Sequence, residues 1–325
     1  MTSLTGLEAP GAPGGGERIL VIKHGALGDL VLSLGAFAAI RTHHRGAKIA
    51  LLTAPAFLDF MAPSGYFDVV WADSRAGLSD WRAHLRLRRR FAAAGFARVY
   101  DLQASGRTAL YFRFLFPRPR PEWSGVANGC SHPDRNPERQ QLHSIERQQA
   151  QLAQAGIGSV PAPSLDWVQV DVGAFGLPRD YALLVPGGAA HRPEKRWPVE
   201  RYAALGRALA AHGLTPVVVG GAGEAELGAA VTAAVPGTRD LTGRTGLAEL
   251  TVIARGARLA VGNDTGPMHL AAVAGAPSVV LFGPASDPAR AAPRGPAVTV
   301  LRRAPLAALG CAEVLRAAKL EPAKA

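Results

Sequence analysis

From Arg18 onwards, short apolar runs alternate with longer stretches whose apolar positions recur at helical spacing. Residues 18–23 (RILVIK), 48–53 (KIALLT), 67–71 and 98–102 are too short for buried helices and rich enough in Val, Ile and Leu to be strands. Helices are expected over 29–41, over 56–62 and across the arginine-rich stretch before residue 98. Strands that alternate with helices imply a parallel sheet covered on both faces. The pattern then weakens through PRPRP (117–121) and SHPDRNP (131–137), and a helix follows over 142–155.

The alternation restarts further along. Residues 181–185 (YALLV), 215–220 (TPVVVG), 259–261 and 278–282 read as strands, with helices over 199–212, 223–234 and 247–255 and a closing helix over 306–319. The Gly- and Pro-rich stretch 156–179 separates the two series. The expected organisation is therefore α/β: a flexible tail over 1–16, a Rossmann-like domain over 17–175 and a second over 176–325.

With 48% hydrophobic and 19% charged residues, the composition is that of a globular protein. No apolar run approaches the roughly 20 residues that span a bilayer, and the first sixteen residues lack the pattern of a signal peptide. Two cysteines, Cys130 and Cys311, indicate neither a disulfide framework nor a metal site. His132 and His143 lack metal-ligand spacing. The net charge of +11 is uneven, since ten arginines lie between Arg82 and Arg120 against one acid, Asp101. Such a surface, interleaved with aromatic residues, suits an anionic membrane face or a phosphorylated acceptor. No nucleic-acid module accompanies it.

Four strand-end loops carry candidate chemistry, each with a plainer alternative. In LAVGNDTGPMHL (259–270), Pro267 suits a first helical turn, and a helix N-terminus after Asp264, Thr265 and Gly266 favours a phosphate; the same residues could simply cap the helix. In HGALGD (24–29) the glycines permit a sharp turn, and Asp29 either caps a helix or accepts a hydroxyl proton. Lys195 and Arg196, in PGGAAHRPEKRWP (186–198), are placed to meet a diphosphate or are solvated surface. Glu224, in VGGAGE (219–224), is placed to accept ribose hydroxyls or is an ordinary acid in a first turn.

ILVIKHGALGDLVLSLGAFAAIR, GGAAHRPEKRWP, VVVGGAGE and VGNDTGPMHLAAVAGAPSVVLFG resemble glycosyltransferase family 9 in order and spacing. This is the family of ADP-heptose:lipopolysaccharide heptosyltransferases. Asp101-Leu102-Gln103 with Arg107, and His143 with Arg147, are similar to it too. The resemblance runs from Arg18 to about Arg294. It implies the GT-B fold, two doubly wound Rossmann-like domains facing a central cleft. It also implies inverting transfer without a cofactor or required metal, and the chain has no DxD motif. Asp29 matches the family's general base, and Lys195, with Arg196 beside it, the donor-diphosphate contact. Glu224 matches the ribose-holding acid, and Asp264, Thr265, Gly266 and His269 the donor-binding element. Gln103, Arg107 and Arg147 are the implied acceptor contacts.

The implied partners are a nucleotide-sugar donor, ADP-heptose in the first instance, and an anionic lipid-linked glycan such as the lipopolysaccharide core. The implied location is cytoplasmic, with peripheral contact at the inner membrane and no nucleic acid. A nucleotide-sugar epimerase of the same architecture and a non-catalytic binding protein are the alternatives. The chain departs from the family at 123–147, which is rich in His, Pro and Arg, and at 296–325, where Cys311 stands in LGCAE.

Overall fold

The computed structural model describes residues 16–77, 79–189 and 192–320. Apart from Gly16, the tail expected over 1–16 lies outside the described residues, as do Ala190 and His191 of the second loop. The chain forms two compact units. One takes in the described residues up to Ala26 and Ser33–Ala162; the other takes in Leu27–Leu32 and the described residues from Pro163 onwards.

The first unit is built on β1 (Arg18–Ile22), β2 (Lys48–Thr53), β3 (Val69–Ala72), β4 (Arg98–Asp101), β5 (Glu122–Gly125) and β6 (His132–Pro133), in the order β3-β2-β1-β4-β5-β6. The second has β7 (Tyr181–Val185), β8 (Thr215–Val218), β9 (Arg239–Asp240), β10 (Leu259–Asn263), β11 (Ser278–Phe282) and β12 (Val298–Arg302), in the order β12-β11-β10-β7-β8-β9. All the pairings are parallel, with Val21 opposite Leu51 and Tyr100, and Val261 opposite Leu184 and Val279. Counted from its own first strand, each sheet has the order 3-2-1-4-5-6 of a doubly wound dinucleotide fold. In such sheets ligands bind beyond the strands' carboxyl ends, where the winding direction reverses. Those points lie after β1 and β4 in one unit and after β7 and β10 in the other.

Each sheet buries an apolar layer of its own. Leu20, Ile22, Leu52 and Val99 pack with Phe91, Phe112, Phe116 and Trp123 in the first unit, where Phe91 and Phe116 stack with centroids 4.4 Å apart. Leu184, Val218, Val261 and Leu281 pack with Trp197, Tyr202, Leu205 and Val314 in the second. Trp123 and Trp197 are almost fully buried, so truncating either would cost about 3–5 kcal/mol.

The helix expected over 29–41 is two helices, Leu27–Val31 and Leu34–His43. The break at Leu32–Ser33 falls where the chain passes from one packing unit to the other. Ser33 is fully buried there and its Oγ accepts from Gln148 Nε2 at 3.0 Å. The closing helix expected over 306–319 is a short turn, Leu306–Ala308, and a helix, Cys311–Ala318. The division after Ala162 precedes the boundary expected at 175/176. Arg255 accounts for part of this difference, donating to the carbonyls of Leu165 and Val168 and so tying that segment to the second unit. Strands β5, β6 and β9 carry no apolar run of the kind that marked the others, and β12 (VTVLR) was not expected although it does.

Candidate functional site

The second unit's reversal point gathers the residues singled out in three of the four loops. Lys195 Nζ lies 2.9 Å from Asp264 Oδ2, and both side chains are largely buried. His269 Nε2 stands 3.9 Å from the other carboxylate oxygen. Burial alone would raise the Asp264 pKa; the polar groups of His269, Lys195 and Ser286 outweigh it and hold the pKa at about 2. The ammonium of Lys195 is thus fixed beside the start of the helix Gly266–Val273.

That helix start is open in a specific sense. Thr265 is its N-cap, yet the Thr265 side chain caps nothing; its Oγ1 donates instead to Asn263 O at 3.2 Å. An N-terminus without a side-chain cap, next to a fixed ammonium, has the polarity that favours an anion.

Glu224 closes the neighbouring loop. Its Oε1 accepts from Gly188 N at 2.6 Å and its Oε2 from Gly221 N at 2.8 Å. A Cβ on Gly187 or Gly220 would collide with this carboxylate, which accounts for the glycines there. Arg196 donates to Gly188 O at 2.5 Å, so it braces the loop from the other side.

Asn263 joins these pieces, and sequence reasoning passed over it. It is fully buried at the end of β10. Its Oδ1 accepts from Trp197 N at 2.9 Å and from Tyr202 Oη at 3.0 Å. Its Nδ2 donates to the carbonyls of Pro186 and Gly187, each at 2.9 Å. One side chain thereby sets the loop after β7, the entry of the helix Val199–Ala211 and the loop after β10. The available signal was an Asn closing an otherwise apolar strand, a polar group that burial obliges to find partners.

Asp29 was expected in the N-terminal domain, opposite the donor loops. The structure groups its segment, Leu27–Leu32, with the second unit. Glycines make that packing close: a Cβ on Gly28 would lie 2.7 Å from His269 Cδ2, and one on Gly266 would lie 2.6 Å from Leu27 Cβ. Asp29 is half-buried in the first turn of the helix Leu27–Val31, which packs on Gly266–Val273. The candidate base and the candidate anion site therefore share one packing unit.

The first unit's strand ends are arranged differently. Gln103 Oε1 accepts from His24 N at 3.0 Å and Gly25 N at 2.8 Å, so it holds the loop after β1. Gly25, at φ +30°, supplies the turn there. Asp73 was not anticipated. Its carboxylate accepts from Tyr111 Oη at 2.6 Å and touches His24 Nε2 at 2.8 Å. Burial would raise its pKa; His24, Tyr111 and the Arg75 N–H hold it at about 2 instead. Asp101, at the end of β4, is fully buried, and its Oδ2 has no hydrogen-bond partner. Burial lifts its pKa to about 6, against contacts with Thr108 and Ala104 N and the charges of His24 and Lys23.

The three expected acceptor contacts have separate local partners. Gln103 holds the β1 loop, Arg107 donates to Ala76 O at 2.9 Å, and Arg147 donates to Ser144 Oγ at 2.7 Å. Among the described residues, no group of three or more His, Cys, Asp and Glu side chains is placed to hold a metal, and no helix is long and apolar enough to cross a membrane.

The sequence profile of glycosyltransferase family 9 (heptosyltransferase) matches residues 84–319. Lipopolysaccharide heptosyltransferase 2 of Salmonella typhimurium is 36% identical over 104 residues, which is 30% of this chain and 30% of that protein. The matched stretch thus spans under a third of that curated relative. Solved structures agree over nearly the whole length. The E. coli ADP-heptose lipopolysaccharide heptosyltransferase II structure superposes with a TM-score of 0.75 at 24% identity, covering 92% of this chain and 97% of that one. A family 9 glycosyltransferase from Veillonella parvula gives 0.78 at 21% identity, covering 93% and 96%. With its two parallel six-stranded sheets in the GT-B manner, and a profile match over more than half its length, the chain belongs to glycosyltransferase family 9, the heptosyltransferase family.

Proposed function

We propose that the protein transfers heptose from ADP-heptose to a sugar hydroxyl of a lipopolysaccharide core or related lipid-linked glycan, with inversion at the anomeric carbon. The observation that carries the donor half is the fixed Lys195 ammonium beside the uncapped start of the helix Gly266–Val273. Negative charge grows on the diphosphate as the glycosidic bond breaks. A preorganised cation, a helix N-terminus and the Thr265 hydroxyl stabilise that charge more than they stabilise the ground state. Glu224 positions Gly188 and Gly221 around the nucleoside and offers its oxygens to the ribose. Arg196 and His269 keep the loop and Asp264 in place.

Asp29 is the general base. A carboxylate within hydrogen-bond reach of the acceptor hydroxyl can take its proton as the new bond forms. In this scheme the proton goes to Asp29, the hydroxyl oxygen bonds the anomeric carbon, and ADP leaves with the bonding pair. No metal or other cofactor takes part. Gln103, Arg107 and Arg147 are the proposed acceptor contacts, and a lipid-linked acceptor places the enzyme on the cytoplasmic face of the inner membrane.

The test is transfer by the purified protein with ADP-heptose and heptose-deficient lipopolysaccharide. Asp29→Asn should lower turnover about 10²–10⁴-fold, the range for a positioned base, with ADP affinity nearly unchanged. Wild-type turnover in that variant would refute the base assignment. Failure of ADP-heptose to bind at all would refute the donor assignment.

A further inference from the structure

The helix Trp81–Ala94 and the turn of π-helix Tyr111–Leu115 enclose a groove of about 480 Å³ in the first unit. Leu85, Tyr111 and Leu115 line it, together with Trp81, Leu110 and Phe114. The last three are large apolar residues that remain exposed, Trp81 at 64% and Phe114 at 58%. Residues at 81, 84, 85 and 88 lie on one face of the helix, so the groove follows directly from helical spacing.

Charge surrounds this apolar strip. Arg82, Arg86, Arg88, Arg89, Arg113 and Arg118 are exposed. From Trp81 to Pro121 the sole acid is Asp101, which is fully buried at the end of β4. Arg82 lies over the Trp81 ring at 5.5 Å and Arg113 over Phe114 at 5.4 Å. Exposed aromatic rings paired with arginines suit a boundary where apolar and anionic material meet.

We propose that this face docks onto an anionic lipid bilayer, with Trp81 and Phe114 entering the headgroup layer and the exposed arginines meeting lipid phosphates. A polyanion without an apolar part would engage the arginines and leave the groove open to water. A bilayer offers both components at the required depth. The proposal deepens the lipid-linked acceptor reading, on which its biological sense rests, but its readout needs no transfer.

The full chain is floated with vesicles of phosphatidylcholine alone and of phosphatidylcholine with phosphatidylglycerol. Binding to the second and not the first is expected, with salt weakening it and the emission of Trp81 shifting to the blue. Arg82→Ala/Arg86→Ala/Arg89→Ala should lower partitioning about a hundredfold, at roughly fivefold per charge near the surface. Alanine suits an exposed helix, and an unchanged far-ultraviolet circular dichroism spectrum verifies the fold. Trp81→Ala/Phe114→Ala should weaken binding at high salt as well as at low salt.

Equal binding to both vesicle types, or undiminished binding by the triple variant, would overturn the proposal. So would a dimer in light scattering that Trp81→Ala/Phe114→Ala converts to monomer without altering vesicle binding, and so would tight binding to single-stranded nucleic acid with none to vesicles. Intact vesicle binding with no heptose transfer would refute the transferase reading alone.

Discussion

The two sheets share one topology and one way of holding the first loop, and they differ at the second strand end. In each, a side chain from an adjacent strand end holds the backbone of the first loop: Gln103 on His24 and Gly25, and Glu224 on Gly188. The helices after β4 and β10 then diverge. The helix Gly106–Leu110 closes its own N-terminus with a capping box, in which Ser105 Oγ accepts from Thr108 N and Thr108 Oγ1 from Ser105 N. The helix Gly266–Val273 has no such cap and has Lys195 beside it. The adjoining aspartates follow suit. Asp264, paired with an ammonium, sits near pKa 2, while Asp101, more deeply buried and without a partner for Oδ2, sits near 6. A doubly wound sheet supplies a location for an anion, and only local capping and charge decide whether one is received.

The sharpest way to break this comparison is to remove what ties each site together. Asn263→Ala should cost about 3–5 kcal/mol, because it orphans Trp197 N–H and removes a donor from two carbonyls in a buried site, while Tyr202 Oη keeps only Val185 O. Gln103→Ala, at a half-buried position with two backbone donors, should cost about 1–2 kcal/mol. Denaturant unfolding of both variants checks the ranking, and equal losses would show that the two tethers are equivalent.

Next in size is the contrast between the aspartates. The folded pKa of Asp101, about 6, lies above its ordinary 3.8, so its proton stabilises the fold below about pH 4 and that stabilisation is lost as pH rises through 6. Asp264 has the opposite sign: its contribution is present above about pH 4 and disappears as pH falls towards 2. The stability of Asp101→Asn relative to wild type should therefore rise by roughly 2–3 kcal/mol between pH 4 and pH 8. A pH-independent difference would mean that Asp101 is not held protonated by burial.

The smallest effects separate the two helix starts. Ser105→Ala should cost about 1 kcal/mol of stability by opening the capping box. Thr265→Ala should leave stability within about 0.5 kcal/mol, since no cap is lost, yet weaken ADP binding. Thermal melts with and without ADP distinguish the two.

Much of this was legible in the chain. Strands β1, β2, β4, β7, β8, β10 and β11 announced themselves because inner strands of a parallel sheet are apolar on both faces, and the edge strand β3 was expected too, from its Val-Val-Trp run. The strands that escaped notice lie towards the sheet margins: β6 and β9 are two residues long, β12 is half-exposed, and β5 follows a proline run. The loop residues Lys195, Glu224, Asp264 and His269 were singled out from their strand-end positions; Asp264 meets His269 within one loop and helix start, whereas it meets Lys195 by a long-range contact that no local pattern encodes. His24 and Asp73 meet through the same kind of long-range contact and went unseen. The grouping of Leu27–Leu32 with the second unit was equally hidden, because Gly28 and Gly266 read as turn residues and act as packing residues.

The central claim is that the second unit alone holds the nucleoside diphosphate, and calorimetric titration with ADP tests it most directly. Wild type should bind, Lys195→Ala should bind about 10–100-fold more weakly for loss of one charge-assisted contact, and Gln103→Ala should bind as wild type does. Undiminished ADP affinity in Lys195→Ala, or its loss in a folded Gln103→Ala, would contradict the account.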